Sequence, residues 1–186
     1  MRKAIFAVLT LCGACGGGSG STSATVNGTV GGQSMTARDS ISNVIHSSSD
    51  SAGVILISNT ANSCALITAQ KQPKNAQALL IEIGTQSATA ASAPSAPGTY
   101  PVYSQVASTS VMGNVAIVFY AATDAACATT ADYESVSGTV TLTRVDTNGY
   151  AGTFDVTFGN GGGHVTGSFT TTVCPALATS IGGTCT

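Results

Sequence analysis

Any catalysis or metal binding by this chain would have to be built from two histidines and eight carboxylates. By strand alternation His164 falls on a hydroxyl-bearing face beside a glycine loop, and His46 ends an extended segment before Ser47-Ser48-Ser49-Asp50. Neither belongs to an H-x-H or H-E-x-x-H pattern, so no metal site and no metal cofactor is assigned. Acyl transfer needs an activated serine near a histidine and a carboxylate, and no G-x-S-x-G marks any of the serines as a nucleophile. A carboxylate pair suits glycoside hydrolysis. Asp132 and Glu134 lie close in sequence, while Glu82 interrupts the apolar segment 79–83 and shares the parity of Leu80, on the side expected to meet solvent. The turn Asp146-Thr147-Asn148-Gly149 lacks the distal glutamate of a calcium loop and reads as a hairpin. No catalytic residue is therefore assigned, and no cofactor. Sugar-stacking platforms favour tryptophan, which is absent; Tyr100, Tyr103, Tyr120 and Tyr133 serve equally well as core edges. The other candidate chemistry is apolar binding: Tyr150, Phe154, Phe158 and Phe169 fall on the apolar faces of their strands and are candidate lining residues for a ligand cavity.

The N-terminus reads differently. Met1-Arg2-Lys3 precedes the apolar run Ala4-Ile5-Phe6-Ala7-Val8-Leu9-Thr10-Leu11, and Gly13-Ala14-Cys15 follow, then glycine and serine. This is signal-peptide anatomy, too short to span a bilayer as a helix. The segment resembles the N-termini of bacterial lipoproteins, with Gly13-Ala14-Cys15 at the cleavage motif and Cys12 standing where leucine is usual. The resemblance covers only these fifteen residues. It implies a signal peptide at 1–14, lipidation of Cys15 and membrane attachment through the N-terminal lipid; composition and patterning then give a Gly/Ser tether over 15–23 and a single β-domain over 24–186. Several acyl chains make such an anchor stable where one does not. Gly16 after the cysteine is similar to lipoproteins sorted to the outer membrane.

Cysteine arithmetic agrees with that reading. With Cys12 removed and Cys15 acylated, Cys64, Cys127, Cys174 and Cys185 remain, an even number that suits two disulfides in an oxidising compartment. Four cysteines allow three pairings. The closeness of Cys174 to Cys185 favours that pair, leaving Cys64 for Cys127. Zinc is the rival, but these four include no C-x-x-C spacing.

Composition narrows the rest. After residues 1–14, four basic residues (Arg38, Lys71, Lys74, Arg144) face eight acidic ones, too few and too scattered to neutralise a phosphate backbone, so nucleic acid is excluded as a partner. Charged residues make up only 8% of the chain, and 49 serines and threonines take their place. Threonine suits the wet face of a strand and forms helices poorly.

The elements that would position these residues are strands. Apolar residues alternate with hydroxyls from Val136 to Leu142, from Tyr150 to Phe158 and from Val165 to Val173, joined by the turns 146–149 and 159–163. Period two with one apolar face predicts half-buried antiparallel strands in a meander. Upstream strands are expected at 25–30, 34–38, 41–46, 54–58, 78–83, 98–104 and 114–120, with long loops at 88–97 and 121–132. One short helix is expected at 63–70, capped by Asn62 or Ser63 and followed by Pro73. Gly followed by Thr or Ser and an apolar residue recurs at Gly28, Gly98, Gly138, Gly152 and Gly167. In the last three the glycine faces the core, a device that lets strands bend. The expected fold is all-β, an antiparallel up-and-down barrel, with a two-sheet sandwich as second choice. The expected function is a non-enzymatic envelope lipoprotein in a structural or interaction role. The alternatives are a barrel binding a small apolar ligand and a hydrolase with a cryptic carboxylate site.

Overall fold

The computed structural model describes residues 22–108, 110–178 and 183–186. The expected signal peptide, Cys15 and most of the tether lie outside these. The strands are β1 (Ser23–Val30), β2 (Asp39–Ser47), β3 (Asp50–Ser58), β4 (Lys71–Gln72), β5 (Gln77–Gln86), β6 (Ala91–Ser92), β7 (Gly98–Pro101), β8 (Gly113–Thr123), β9 (Thr129–Asp146), β10 (Gly149–Phe158), β11 (Gly163–Thr170), β12 (Thr172–Val173) and β13 (Thr184–Cys185). Helix α1 spans Ser63–Thr68, α2 spans Gln105–Ser108, and a 3₁₀ turn spans Pro175–Ala178.

The protein is all-β. Strands β2, β3, β5, β8, β9, β10 and β11 are hydrogen-bonded neighbours in chain order, each antiparallel to the next, which is the expected meander. Seven is odd, so the first and last strands run the same way and the seam between them can only be parallel. After Thr171 the chain continues from β11 as β12 and pairs in parallel with β2, through Thr172–Ile41 and Val173–Ser42. Two residue pairs make a short seam, and β1 covers the rest of the β11 edge. The result is a curled, mixed sheet forming a half-barrel, where a purely antiparallel one was expected. In place of two separate sheets, β9 pairs through its N-terminal part with β8 and through its C-terminal part with β7 and β10, making one continuous sheet.

The seam is knit by hydroxyls. Ser40 Oγ donates to the Thr170 carbonyl at 2.8 Å, Ser42 Oγ and Thr171 Oγ1 share a hydrogen bond at 2.7 Å, and the Tyr150 N–H donates to Thr171 Oγ1 at 2.8 Å. These buried polar groups keep their partners, as burial requires.

Two departures from alternation have local causes. Ser135 pairs with Phe158 and Ser137 with Thr157, so Val136 is the extra residue of a β-bulge. The bulge turns Val136 outward, 51% exposed, and Ser135 inward, where its hydroxyl accepts the Val118 N–H at 2.9 Å. Val173, also expected inside, is partly exposed because the chain crosses to β2 after Thr171. Segment 34–38 is not a strand, although Met35 is buried.

Segments 54–57 and 79–83 are nearly continuous apolar runs because this half of the sheet is covered on both faces. Ile55, Ile57, Leu79, Ile81 and Ile83 join the inner core. Val54 and Leu56 join Ile41, Cys174 and Leu177 in a smaller outer core, with Ile67 of α1 packed against it. That outer layer corrects the expected disulfides. The bonds are Cys64–Cys174 and Cys127–Cys185. Helix α1 and the 3₁₀ turn cover the same outer patch, which brings Cys64 to Cys174. Cys185 leaves its sequence neighbour because β13 pairs with β4, where the Cys127 sulfur also lies, 3.5 Å from the Gln72 carbonyl oxygen.

Candidate functional site

The structure places Tyr150, Phe154, Phe158 and Phe169 together in the inner core, each at most 4% exposed. Phe154 and Phe169 stack with centroids 6.5 Å apart, and Phe158 meets Tyr120 edge-on at 6.5 Å. Burial, and then the nearby Tyr100, pushes the Tyr150 phenol above its ordinary pKa. These rings fill the interior.

Of the candidate acid–base residues only Asp132 and Glu134 are close neighbours. Glu82 and Glu134 both face outward but stand on β5 and β9 with β8 between them and a two-residue stagger, roughly 12 Å apart by strand spacing and rise. The Glu134 carboxylate accepts the Gln105 N–H at the start of α2. Asp132 is exposed beside Ala121 and shares the outward face of β9 with Glu134, two residues and about 7 Å along the strand. His164 lies on the other half of the sheet, paired with Asp155 at 2.7 Å, and both side chains are at least half exposed. His46 is exposed near the end of β2. The 146–149 turn is a hairpin in which Asp146 Oδ1 accepts the Asn148 N–H at 2.8 Å.

Glu82 still has a distinct environment. Its cross-strand neighbours are Val54 and Ile117, and burial raises its pKa above the ordinary 4.5. Between that ordinary value and the raised one, the folded protein keeps a proton that the unfolded chain has lost. Stability therefore falls as pH rises through that window and levels off above it. Glu82→Gln is expected to be more stable than the parent at pH 7, with the gain vanishing below the ordinary carboxylate pKa. Urea midpoints measured across pH check this; a gain that persists at pH 3 would assign the effect to packing instead of charge.

The chemically distinctive concavity lies on the outer face, where no single motif marks it. Ser58, Ala78 and Ala121 stand in register across β3, β5 and β8, so three small side chains leave a dip in the sheet. Together with Leu56 they floor a cleft of about 160 Å³. Leu66 and Ile67 of α1 form one wall, and Lys71, Gln72 and Pro73 form another. The dip is visible only once register is known. The one sequence signal that points to it is the pair of apolar runs at 54–57 and 79–83, which require cover on both faces.

Both walls are braced. Cys64–Cys174 ties α1 to the 3₁₀ turn, while β13 pairs with β4 and is itself held by Cys127–Cys185. Asn62 offers α1 no side-chain cap, and the Ser63 N–H donates instead to Asp39 Oδ2 of β2 at 2.7 Å. A cap of this kind is worth about 1–2 kcal/mol. Two exposed cations, Lys71 and Lys74, stand at the β4 wall, and neither makes an ion pair among the described residues. No protein-family model, curated protein or solved structure matches the chain.

Proposed function

We propose that this chain is a non-enzymatic lipoprotein of the cell envelope, anchored in the outer membrane through acylated Cys15, with a β-domain in a structural or interaction role. The observation that carries the reading is the cysteine ledger: Cys64, Cys127, Cys174 and Cys185 are all consumed in disulfides. Disulfides belong to an oxidising compartment, and Cys15 then remains for lipid. The non-enzymatic part draws support from His164, which stands on another part of the sheet paired with Asp155, and from Glu134, whose carboxylate already accepts the Gln105 N–H, although Asp132 and Glu134 share one face of β9.

The test is export of the full chain in a diderm bacterium fed an alkyne fatty acid. The parent is expected to carry label and fractionate with the outer membrane, whereas Cys15→Ser loses the label and becomes soluble. An unlabelled parent, or a variant that keeps its label, overturns the anchor. Robust turnover in a screen of envelope polymers and esters would overturn the non-enzymatic role. The second reading, binding of a small apolar ligand, draws its support from the outer cleft, since the aromatic residues first considered for it are packed.

A further inference from the structure

The geometry points to the cleft beneath α1 as a binding site for a small amphipathic anion: a monocarboxylate whose aliphatic tail lies on Ala78 and Ala121 and whose head meets Lys71. This deepens the second reading and does not depend on the lipid anchor.

Size sets the tail. An apolar cavity of roughly 150 Å³ accepts a molecule as large as benzene, so a cleft of about 160 Å³ takes about six carbons. Chemistry sets its character, because Leu56, Leu66, Ile67, Ala78 and Ala121 offer the tail carbon surface. Charge sets the head. Residues 71–74 hold two of the four cations downstream of Cys15, and no carboxylate among the described residues lines the cleft. Asp124, close by in the β8–β9 loop, already accepts the Ala126 and Ala128 N–H groups at 2.8 and 3.0 Å. Asp132 stands one strand beyond the floor and is not part of the lining. An ammonium in place of the carboxylate would face Lys71, so a cationic amphiphile is disfavoured. Preorganisation favours binding too, since each wall is fixed by a disulfide before any ligand arrives.

The experiment titrates the full-length chain carrying Cys15→Ser with straight-chain carboxylates of four to twelve carbons, followed by calorimetry and by methyl chemical shifts. Affinity is expected to rise about fourfold per methylene up to six to eight carbons and then to level off, with shifts concentrated on Ile67, Ala78 and Ala121. Octanoate should bind several-fold more tightly than octanol, and octylamine least of all. Lys71→Gln should reduce octanoate affinity to that of octanol while leaving octanol unchanged. Ala121→Leu, which fills the floor from an exposed strand position, should abolish both, with an unchanged unfolding midpoint as the control for folding. The proposal fails if octanoate binds no better than octanol, if the shifts fall outside the cleft, or if only anionic vesicles and no soluble carboxylate perturb Lys71 and α1. Failure of the Cys15 labelling experiment would leave these outcomes untouched.

Discussion

Replacing Cys64 and Cys174 together by alanine is expected to lower the unfolding free energy by about 4–5 kcal/mol. The bond closes a loop with a sequence separation of 110, and the loop-entropy relation gives about 4.7 kcal/mol for a loop near that length. Total domain stability is only about 5–15 kcal/mol, so the variant should sit near the edge of folding at 37 °C. The double change is required because either single one leaves a free thiol beside a fully buried site. Urea unfolding of oxidised parent and variant is the measurement, and a loss below about 1 kcal/mol would contradict the loop argument. Carboxylate binding should fall with it, because α1 loses the tie that holds one wall of the cleft. The same material reports the pairing. Trypsin cuts after Arg38, Lys71, Lys74 and Arg144, placing Cys64 in 39–71, Cys127 in 75–144, and Cys174 with Cys185 in 145–186. The bonds in the structure join all three peptides without reduction, whereas a Cys174–Cys185 bond would release 145–186 alone. A further cut after Leu177 separates Cys174 from Cys185 and excludes the third arrangement.

That pairing marks where the sequence stopped being legible. Alternation from Tyr150 to Phe158 named an inward face, and all of Tyr150, Phe154, Val156 and Phe158 lie there, because strand parity is a local property of the chain. Cysteine partners depend on which layers coincide. Cys64 rides on a helix and Cys174 precedes a 3₁₀ turn, and only the shared outer patch over Ile41, Val54 and Leu56 brings them together. The parallel seam is of the same kind: its direction follows from counting strands, not from anything in Thr172 or Val173. Bulges lie between the two. Nothing in the repeated Val-Ser-Gly-Thr-Val pattern announces that Val136 is the extra residue, yet one insertion reverses the facing of everything before it. The cleft was least legible of all, because its cause is three small residues 20 or more positions apart that meet only in register.

Gly167→Ala is expected to cost about 3 kcal/mol and Gly167→Val more, while Gly98→Ala, in the same Gly-Thr/Ser-apolar triplet, should be neutral or stabilising by about 0.4–1 kcal/mol. Gly167 lies between Val26 of β1 and Phe154 of β10. A methyl group there would penetrate the Thr25 carbonyl oxygen and the Phe154 ring. Neither can yield cheaply. The carbonyl belongs to backbone in the β1–β11 ladder, and the ring is stacked on Phe169, which itself lies opposite Gly152. Two glycines thus stand directly opposite two phenylalanines on adjacent strands; Gly167 makes the room the Phe154 ring occupies, whereas Gly152 makes room for the close approach of the Thr141 carbonyl on β9. At Gly98 a methyl group would meet its nearest neighbours at 3.6 Å or more, ordinary contact, and the main effect is a less flexible unfolded chain. The recurring triplet therefore has a steric cause at position 167 and none at position 98. Equal unfolding midpoints for the two alanine variants would show that the sheet has slack behind Phe154, and with it space in the interior where a ligand could sit.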